Sequence, residues 1–387
     1  MTGIISILKG ICPASEADAE KIAYSTDSST IKGNCLAVTW PENAEQLQKL
    51  IRYCQREKLN LTVRGGGTSL VGGSVPNDSI IIDMSRFNKI KRIDLKEKVV
   101  FAEAGVILDD LNFVLGKYGY EFPIKPGSHS ACTVGGIIAT NAGGMLSPKF
   151  GKVSEWVEAL RVIDGTGKVF DFYDSQAKEI AGTEGCCCII LEAKLKINEL
   201  AKYYSTDFYE FDDNQKLIKK IEELKRDPDV IAVEYINNIA AKIVGLREKD
   251  YLLIKYAGTK GNLDPLKAEK LWKLRENLYS ILVEKGYKII EDPLIEKDID
   301  KFIDWLKKQE IPCFGHIVYG VLHPHFENEE QIGKMINVVK ELGGKLTGEH
   351  GIGVLKKKNA PFIITQKIKE LKARYDPNNI LNRGKII

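Results

Sequence analysis

Glycine loses more conformational freedom on folding than any other residue, so a folded chain that crowds it into one region needs a reason. This chain has 34 glycines in 387 residues, and 14 of them fall between residues 65 and 151. Two runs carry most of the crowding. The first is Arg64-Gly65-Gly66-Gly67-Thr68-Ser69-Leu70-Val71-Gly72-Gly73. The second runs from Pro126-Gly127-Ser128 through Thr133, Gly135, Gly136 and Asn141 to Gly143-Gly144. Tight turns are one explanation, and a ligand that must approach the backbone is the other. Successive backbone N–H groups in such a turn form an anion nest, and Arg64, Thr68 and Ser69 add a charge and two hydroxyls. Two nests joined by a sheet suit an extended diphosphate ligand. Neither run is a Walker A loop or the G-x-G-x-x-G of a Rossmann unit.

The segments around these runs read as α+β. Cys35–Thr39 is β-prone, Leu47, Leu50, Ile51 and Cys54 recur at helical spacing, and Asn60–Val63 resumes as a strand. Ser79–Asp83, Val99–Ala104 and Ala159–Ile163 are further strands. Beyond residue 200 the chain becomes Lys/Glu-rich and poor in glycine. Helices are expected over Leu217–Leu224 and Leu266–Glu284, with strands over Val230–Ile236 and Tyr251–Tyr256, the pattern of a separate domain over an antiparallel sheet. Length alone favours two domains. The expected division is 1–200, then 201–345, with 346–387 returning to the first domain.

Composition removes several classes of function. The chain is 44% hydrophobic and 28% charged, which excludes a disordered or fibrous protein. A net charge of +3, from 56 basic and 53 acidic residues, gives no case for nucleic acid or an anionic membrane as the main partner. No run approaches the ~18–20 apolar residues of a membrane span. The eight cysteines include Cys186-Cys187-Cys188 but no C-x-x-C, so neither an iron–sulfur cluster nor a disulfide framework is expected. With no secretory signal at the start, a reducing, cytoplasmic setting follows, peripheral to a membrane only through an electron acceptor.

Histidine is the second uneven residue. Four of the five lie between 316 and 350, in Gly315-His316-Ile317-Val318-Tyr319-Gly320-Val321-Leu322-His323-Pro324-His325 and in Thr347-Gly348-Glu349-His350-Gly351-Ile352-Gly353. Two imidazoles and one carboxylate make a three-ligand metal site with open positions. Gly320 and Pro324 argue against a continuous helix, so His316 and His323 would need a bend to converge. The glycines around Glu349 and His350 allow a turn that shows both side chains to one pocket. Histidines of the core or the surface are the alternative.

The first glycine run, the second run, Lys149-Phe150-Gly151 with Val153, Trp156 and Val157, and Gly182-Thr183-Glu184-Gly185 with Ile189-Ile190 and Ala193-Lys194-Leu195-Lys196 together resemble the FAD-binding domain of the vanillyl-alcohol oxidase / p-cresol methylhydroxylase (PCMH) superfamily. The resemblance implies a PCMH-type, two-subdomain FAD-binding domain plus an α+β cap with an antiparallel sheet. It also implies noncovalent FAD, with its diphosphate on Gly65, Gly66, Gly67, Thr68 and Ser69 and its flavin near 126–144 and 184–190. The implied cofactor residues are Arg64, Gly65, Gly66, Gly67, Thr68, Ser69, Gly72, Pro126, Gly127, Ser128, Thr133, Gly135, Gly136, Asn141, Gly143, Gly144, Glu184, Gly185, Ile190 and Asn382. Cys188 stands where that family usually has glycine. His129 does not match a covalent attachment position and is expected in a loop-packing or solvated role.

The histidine strings are similar to those of FAD-dependent D-2-hydroxyacid dehydrogenases, the group of D-lactate dehydrogenase, the D subunit of glycolate oxidase and D-2-hydroxyglutarate dehydrogenase. That resemblance implies His316, His323 and Glu349 as ligands of a divalent metal, usually zinc. It implies His350 as catalytic base, and His325 at a substrate-contacting position. Leu271-Trp272-Lys273-Leu274-Arg275 resembles the segment whose arginine holds the substrate carboxylate. Tyr375-Asp376-Pro377 through Leu381-Asn382-Arg383-Gly384-Lys385 resembles the family's closing motif. Val318, Tyr319, Val321 and His325 depart from the pattern and bear on the substrate.

The implied activity is oxidation of a small D-2-hydroxy acid, with D-lactate or glycolate foremost. Hydride passes from C2 to flavin N5, and the electrons go on to an external acceptor: a partner subunit, a quinone or another carrier. A homodimer or hetero-oligomer is compatible with this. Two other readings stand beside it: a cofactor-bearing, non-catalytic subunit of a larger complex, and a flavin oxidase for sugars or aldonolactones, which would not need His316, His323 and Glu349.

Overall fold

Strand Cys35–Thr39, helix Ala44–Arg56 and strand Asn60–Arg64 follow one another as their apolar spacing requires. Asn43 caps the helix by accepting from the Gln46 amide at 3.0 Å, and Leu47, Leu50, Ile51, Tyr53 and Cys54 are its buried face. Both strands run parallel to Ser79–Asp83, which lies between them. All five residues of that central strand are buried, as a strand covered on both faces requires. Ala14–Ser15 adds an antiparallel edge.

The fold comes from a computed structural model that describes residues 2–29 and 31–387. It divides into two units: Met1–Gly143, Lys152–Leu200 and Glu349–Ile387 form the first, and Gly144–Gly151 with Ala201–Gly348 form the second. Segment 144–151 therefore folds with the second unit, where Lys149 Nζ donates to the Pro228 carbonyl at 3.2 Å.

Beside its parallel sheet, the first unit holds a five-stranded antiparallel sheet in the order Ile90–Asp94, Val99–Glu103, Cys188–Lys196, Val157–Asp164, Val169–Tyr173. Cysteines 186–188 lead into its central strand. All eight cysteines are unpaired and buried, packing as small apolar groups. Burial pushes the Cys188 thiol well up from its ordinary value.

The last segment of the chain is built into this unit. Leu61 N donates to the Ile380 carbonyl at 2.7 Å, and Asn382 N donates to the Leu61 carbonyl at 2.8 Å. Helix Phe362–Tyr375 supplies Lys372, a buried cation whose Nζ donates to the carbonyls of Cys186 and Leu381 at 2.8 and 2.7 Å and pairs with Asp376 at 2.7 Å. Asp376 in turn accepts from the amides of Ile380 and Leu381 at 3.1 and 2.9 Å. Every charge in this knot has a partner, which is what makes its burial tolerable.

The second unit is an antiparallel sheet whose central order is Tyr204–Phe211, Asp250–Ala257, Val230–Ile236, Cys313–His316, Val321–Phe326. Side chains alternate between its faces. Val233, Tyr235, Leu252, Ile254, Cys313 and Leu322 pack on one side against helices Asn214–Leu224, Ile299–Lys308 and Glu329–Glu341. Ile236, Tyr251 and Phe314 pack on the other against Leu278 and Leu282 of helix Pro265–Glu284. Among the described residues no helix is long and apolar enough to cross a membrane.

Lys372→Met strands the Asp376 carboxylate and two carbonyls. It is expected to cost roughly 3–5 kcal/mol in equilibrium urea unfolding. A loss below about 1 kcal/mol would show that other contacts hold the closing segment.

Candidate functional site

The histidines of the second unit are brought together by a hairpin. Strands Cys313–His316 and Val321–Phe326 pair antiparallel, with Phe314 opposite His323 and His316 opposite Val321. The connection is one short turn, Ile317–Tyr319, closed by Gly320 at φ +71. A side chain on Gly320 would also run into the Ile295 carbonyl. The bend that His316 and His323 need is therefore a β-turn. Phe314, His316, His323 and His325 share one face, and the His316 and His323 rings lie edge to face with centroids 5.2 Å apart.

Two carboxylates orient these rings. His316 Nδ1 lies 2.6 Å from Glu234 Oε1, and His323 Nδ1 lies 3.0 Å from Asp292 Oδ1. Both carboxylates are fully buried. With each Nδ1–H donated to a carboxylate, the ring presents its Nε2 lone pair, the arrangement of carboxylate–histidine–metal sites. The donor set fits a divalent metal held through the two Nε2 atoms. His325 is also buried; its Nδ1 donates to the His323 carbonyl at 3.0 Å, and its ring leans on Phe314 at 5.0 Å and Tyr279 at 5.6 Å.

Glu234 serves a second cation as well. Helix Pro265–Glu284 brings Arg275 onto the same face, where Nε and Nη2 lie 2.6 and 2.5 Å from Glu234 Oε2. The guanidinium stacks 4.2 Å above the Phe314 ring. Burial would raise the Glu234 carboxyl, but the charges and hydrogen bonds of Arg275 and His316 outweigh it and hold the group below its ordinary value. Arg275 is thus buried on a protein carboxylate through one edge of its fork. The edge formed by Nη1 and Nη2 is the one a second carboxylate would take. Sequence reading missed Glu234 and Asp292. The signal for Glu234 was present, as the one charge in the all-buried strand Val230–Ile236.

Glu349 and His350 belong to the first unit. The turn that carries them is anchored just downstream, where Ile352 and Gly353 amides donate to Glu184 at 2.6 and 2.9 Å and Val354 N donates to the Val71 carbonyl at 2.8 Å. Gly351 and Gly353 take φ of +88 and +50, backbone that L side chains rarely adopt. Burial raises the Glu184 carboxyl despite these two amides and the nearby charges of Lys385 and Lys356.

The glycine runs divide by what their amides do. Gly65, Gly66 and Gly67 amides make no hydrogen bond among the described residues. A Cβ on Gly65 would strike Thr133, and one on Gly66 would strike the Ala131 carbonyl. The first turn thus lies against the second loop with its donors uncommitted, a nest suited to a phosphate group. Ser69 Oγ braces its far side, accepting from the Val71 and Gly73 amides at 3.2 and 2.9 Å. In the second run, Val134 and Gly135 amides bond to the Val106 and Ala104 carbonyls, and the Gly136 amide bonds to Thr133 Oγ1 at 3.2 Å. Gly135 packs against Ala104. Those amides already have protein partners.

The other expected cofactor residues have these places. Gly72 takes φ +79 against Ile31 and Val354. Pro126, Gly127 and Ser128 form a turn in which His129 N donates to the Pro126 carbonyl at 3.0 Å, and His129 Nδ1 pairs with Asp109 at 2.7 Å. Asn141 accepts from Ser154 N at 2.9 Å. Gly143 closes a segment of the first unit, and Gly144 opens one in the second. Ile190 is buried in strand Cys188–Lys196. Asn382 ties Glu184 to the first turn's strand: Oδ1 accepts from Val63 N at 2.9 Å, and Nδ2 donates to the Glu184 carbonyl at 2.5 Å. Gly185, at φ +71, makes room for that amide.

The family model "FAD binding domain" matches residues 35–173, and "FAD linked oxidases, C-terminal domain" matches residues 262–386. The chain is 25% identical to D-lactate dehydrogenase of Archaeoglobus fulgidus, over 90% of this chain and 91% of that protein. It is 27% identical to glycolate oxidase subunit GlcD of Bacillus subtilis, over 96% and 93%, and 24% identical to D-2-hydroxyglutarate dehydrogenase of Stutzerimonas stutzeri, over 90% of each. Among solved structures, an alkyldihydroxyacetonephosphate synthase superposes with a TM-score of 0.74 at 16% identity, covering 99% of this chain and 85% of that one. The fold is the PCMH-type α+β fold.

Replacing one partner of the buried pair exposes its energetics. Glu234→Leu leaves Arg275 buried without a counter-charge and is expected to lower unfolding free energy by roughly 3–5 kcal/mol. The double variant Glu234→Leu/Arg275→Met is expected to recover most of that loss. A double-mutant cycle in urea checks this, and strictly additive losses would show that the two side chains are not coupled.

Proposed function

We propose that this chain, an oxidoreductase of the PCMH-type FAD-linked oxidase family, oxidises a small D-2-hydroxy acid to the 2-oxo acid with metal assistance. D-lactate and glycolate are the first candidates. The observation that carries the reading is the pair of imidazoles 5.2 Å apart, each with Nδ1 held by a fully buried carboxylate. A sugar or aldonolactone oxidase has no use for that arrangement. The activities in the names of the relatives support the same reading.

When bound, FAD supplies the two-electron acceptor for the C2–H bond, and a divalent metal supplies positive charge that eases loss of the 2-hydroxyl proton. His316, His323 and Glu349 would hold the metal. Zinc is the first choice, and Mn, Fe and Co also suit two imidazoles and a carboxylate. His350 takes the hydroxyl proton as general base. Arg275 binds the substrate carboxylate through the Nη1/Nη2 edge while Glu234 fixes the other edge, so the guanidinium plane is set before substrate arrives. His325, braced on Phe314 and Tyr279, lies on the same strand face as His323 and borders the substrate. The FAD diphosphate takes the amides of Gly65–Gly67. The electrons then leave to an external acceptor, since the sequence carries no cluster-binding cysteine spacing.

Reduction of an artificial dye by the purified flavoprotein tests this. Turnover is expected with D-lactate or glycolate, not with L-lactate, and is expected to be lost on chelation and restored by Zn, Mn or Co. His350→Asn is expected to lower kcat by 10²–10⁴-fold with flavin still bound. Chelator-insensitive turnover would remove the metal from the reaction. Flavin bound without turnover on any 2-hydroxy acid would instead make the chain a cofactor-bearing subunit.

A further inference from the structure

Lys385 is the buried charge that nothing above has used. It is 1% exposed, and its Nζ has no hydrogen-bond partner among the described residues. The contrast with Lys372 is direct, since that buried ammonium has three oxygens within 2.8 Å. A buried ammonium left with no partner costs several kcal/mol, so a lysine kept in that state points to an anion that arrives from outside the chain.

Its surroundings locate that anion. The Lys385 ammonium feels the charges of Asp27, Glu184 and Arg64. These three lie along the first glycine run. The Arg64 guanidinium packs against Gly67, and its Nη1 donates to the Thr26 carbonyl at 2.6 Å. Asp27 receives the Ser74 amide at 3.2 Å. Glu184 lies against Gly73, where its Oε2 would be 3.4 Å from an added Cβ. The backbone next to Lys385 is fixed close to the end of this glycine run: Ile386 N donates to the Gly353 carbonyl at 2.8 Å, and Gly353 packs against Val71. The amides of Gly65, Gly66 and Gly67 in the same run are uncommitted among the described residues. Burial pushes its pKa down to about 8, with Arg64 acting in the same direction. Arg64 and Lys385 are the cations of this group and the Asp27 and Glu184 carboxylates its anions, yet none of these gives Lys385 Nζ a hydrogen bond.

We infer that Lys385 is a counter-cation for the FAD diphosphate, reaching the nest of Gly65–Gly67 from beneath while Arg64 flanks it. The closing segment is then part of the cofactor site through this side chain, and Asn382 through its bonds to Val63 and Glu184 is the strut that places it. The inference rests on FAD binding alone and not on the substrate, the metal or His350.

The test uses the full chain stripped of flavin, with FAD and ADP as separate probes. ADP carries the diphosphate without the flavin ring. Lys385→Met is expected to weaken FAD and ADP by a similar factor, about 10–100-fold, while Lys385→Arg keeps FAD binding within about tenfold of wild type. The flavin reduction potential of FAD-saturated Lys385→Met is expected to match wild type. Without flavin, Lys385→Met is expected to melt no lower than wild type, because an unpartnered buried charge has been removed. FAD affinity unchanged in Lys385→Met overturns the inference. So does weakened FAD binding with unchanged ADP binding, which would place the lysine on the flavin ring. A lower melting temperature or failure to fold in flavin-free Lys385→Met, with Lys385→Arg normal, overturns it in favour of a structural cation. Wild-type protein that binds no FAD would instead defeat the cofactor assignment itself.

Discussion

Glu234 is a charge placed in a strand that water does not reach, and much of the second unit follows from satisfying it. One oxygen goes to His316 and the other to Arg275. Without both partners the strand Val230–Ile236 could not stay buried with a carboxylate at its middle. The partners are equally constrained. Arg275 is 6% exposed and could not be held there without a counter-charge. The imidazole could not be fixed in one tautomer without an acceptor for Nδ1–H. The His316 imidazole and the Arg275 guanidinium are thus registered to each other through one side chain. Helix Pro265–Glu284, which supplies Arg275, packs its Leu278 and Leu282 onto the same sheet face, so apolar packing and the ion pair select the same docking of the helix.

The first unit solves a related problem by different means. Its glycine turn is at least partly exposed and keeps several amides without a protein partner among the described residues. The turn holds its shape because neighbours on every side are tied down: Ser69 braces it from within, Asn382 fixes the strand that leads into it, and Glu184 gathers the amides of Ile352 and Gly353. Rigid surroundings around open donors are what allow a site to bind an anion without rearranging.

Most regular elements were legible in the sequence because their apolar periodicity was local. The helix behind Cys35–Thr39 shows its buried face at Leu47, Leu50, Ile51 and Cys54, and the strand Ser79–Asp83 is apolar on both faces because it lies between two parallel neighbours. The histidine hairpin was not legible as a hairpin. Gly320 and Pro324 break helical spacing, but the strands are four and six residues long, too short for an alternation to declare itself. Gly135 and Gly136 stand in a run that reads as ligand-binding, yet their amides are bonded to the protein, and Gly135 is needed for close packing on Ala104. Sequence supplies the reason for a glycine only when its neighbours in space are known. Asp292 gave no signal, because its role depends on His323, 31 residues away, across a pairing that no local rule fixes.

The first unit is discontinuous, and this affects how it is made. Asn382, which binds the Glu184 carbonyl, emerges 198 residues after it. At roughly 5–20 residues per second, that gap is on the order of 10–40 s of synthesis. During that time the strand Asn60–Arg64 lacks the bond from Leu61 to Ile380, and Cys186 lacks Lys372. The second unit, whose long segment Ala201–Gly348 lies inside the gap, can close on the ribosome first. The first unit is then completed last, and a chain stalled before residue 376 would hold a finished second unit and an unfinished first one.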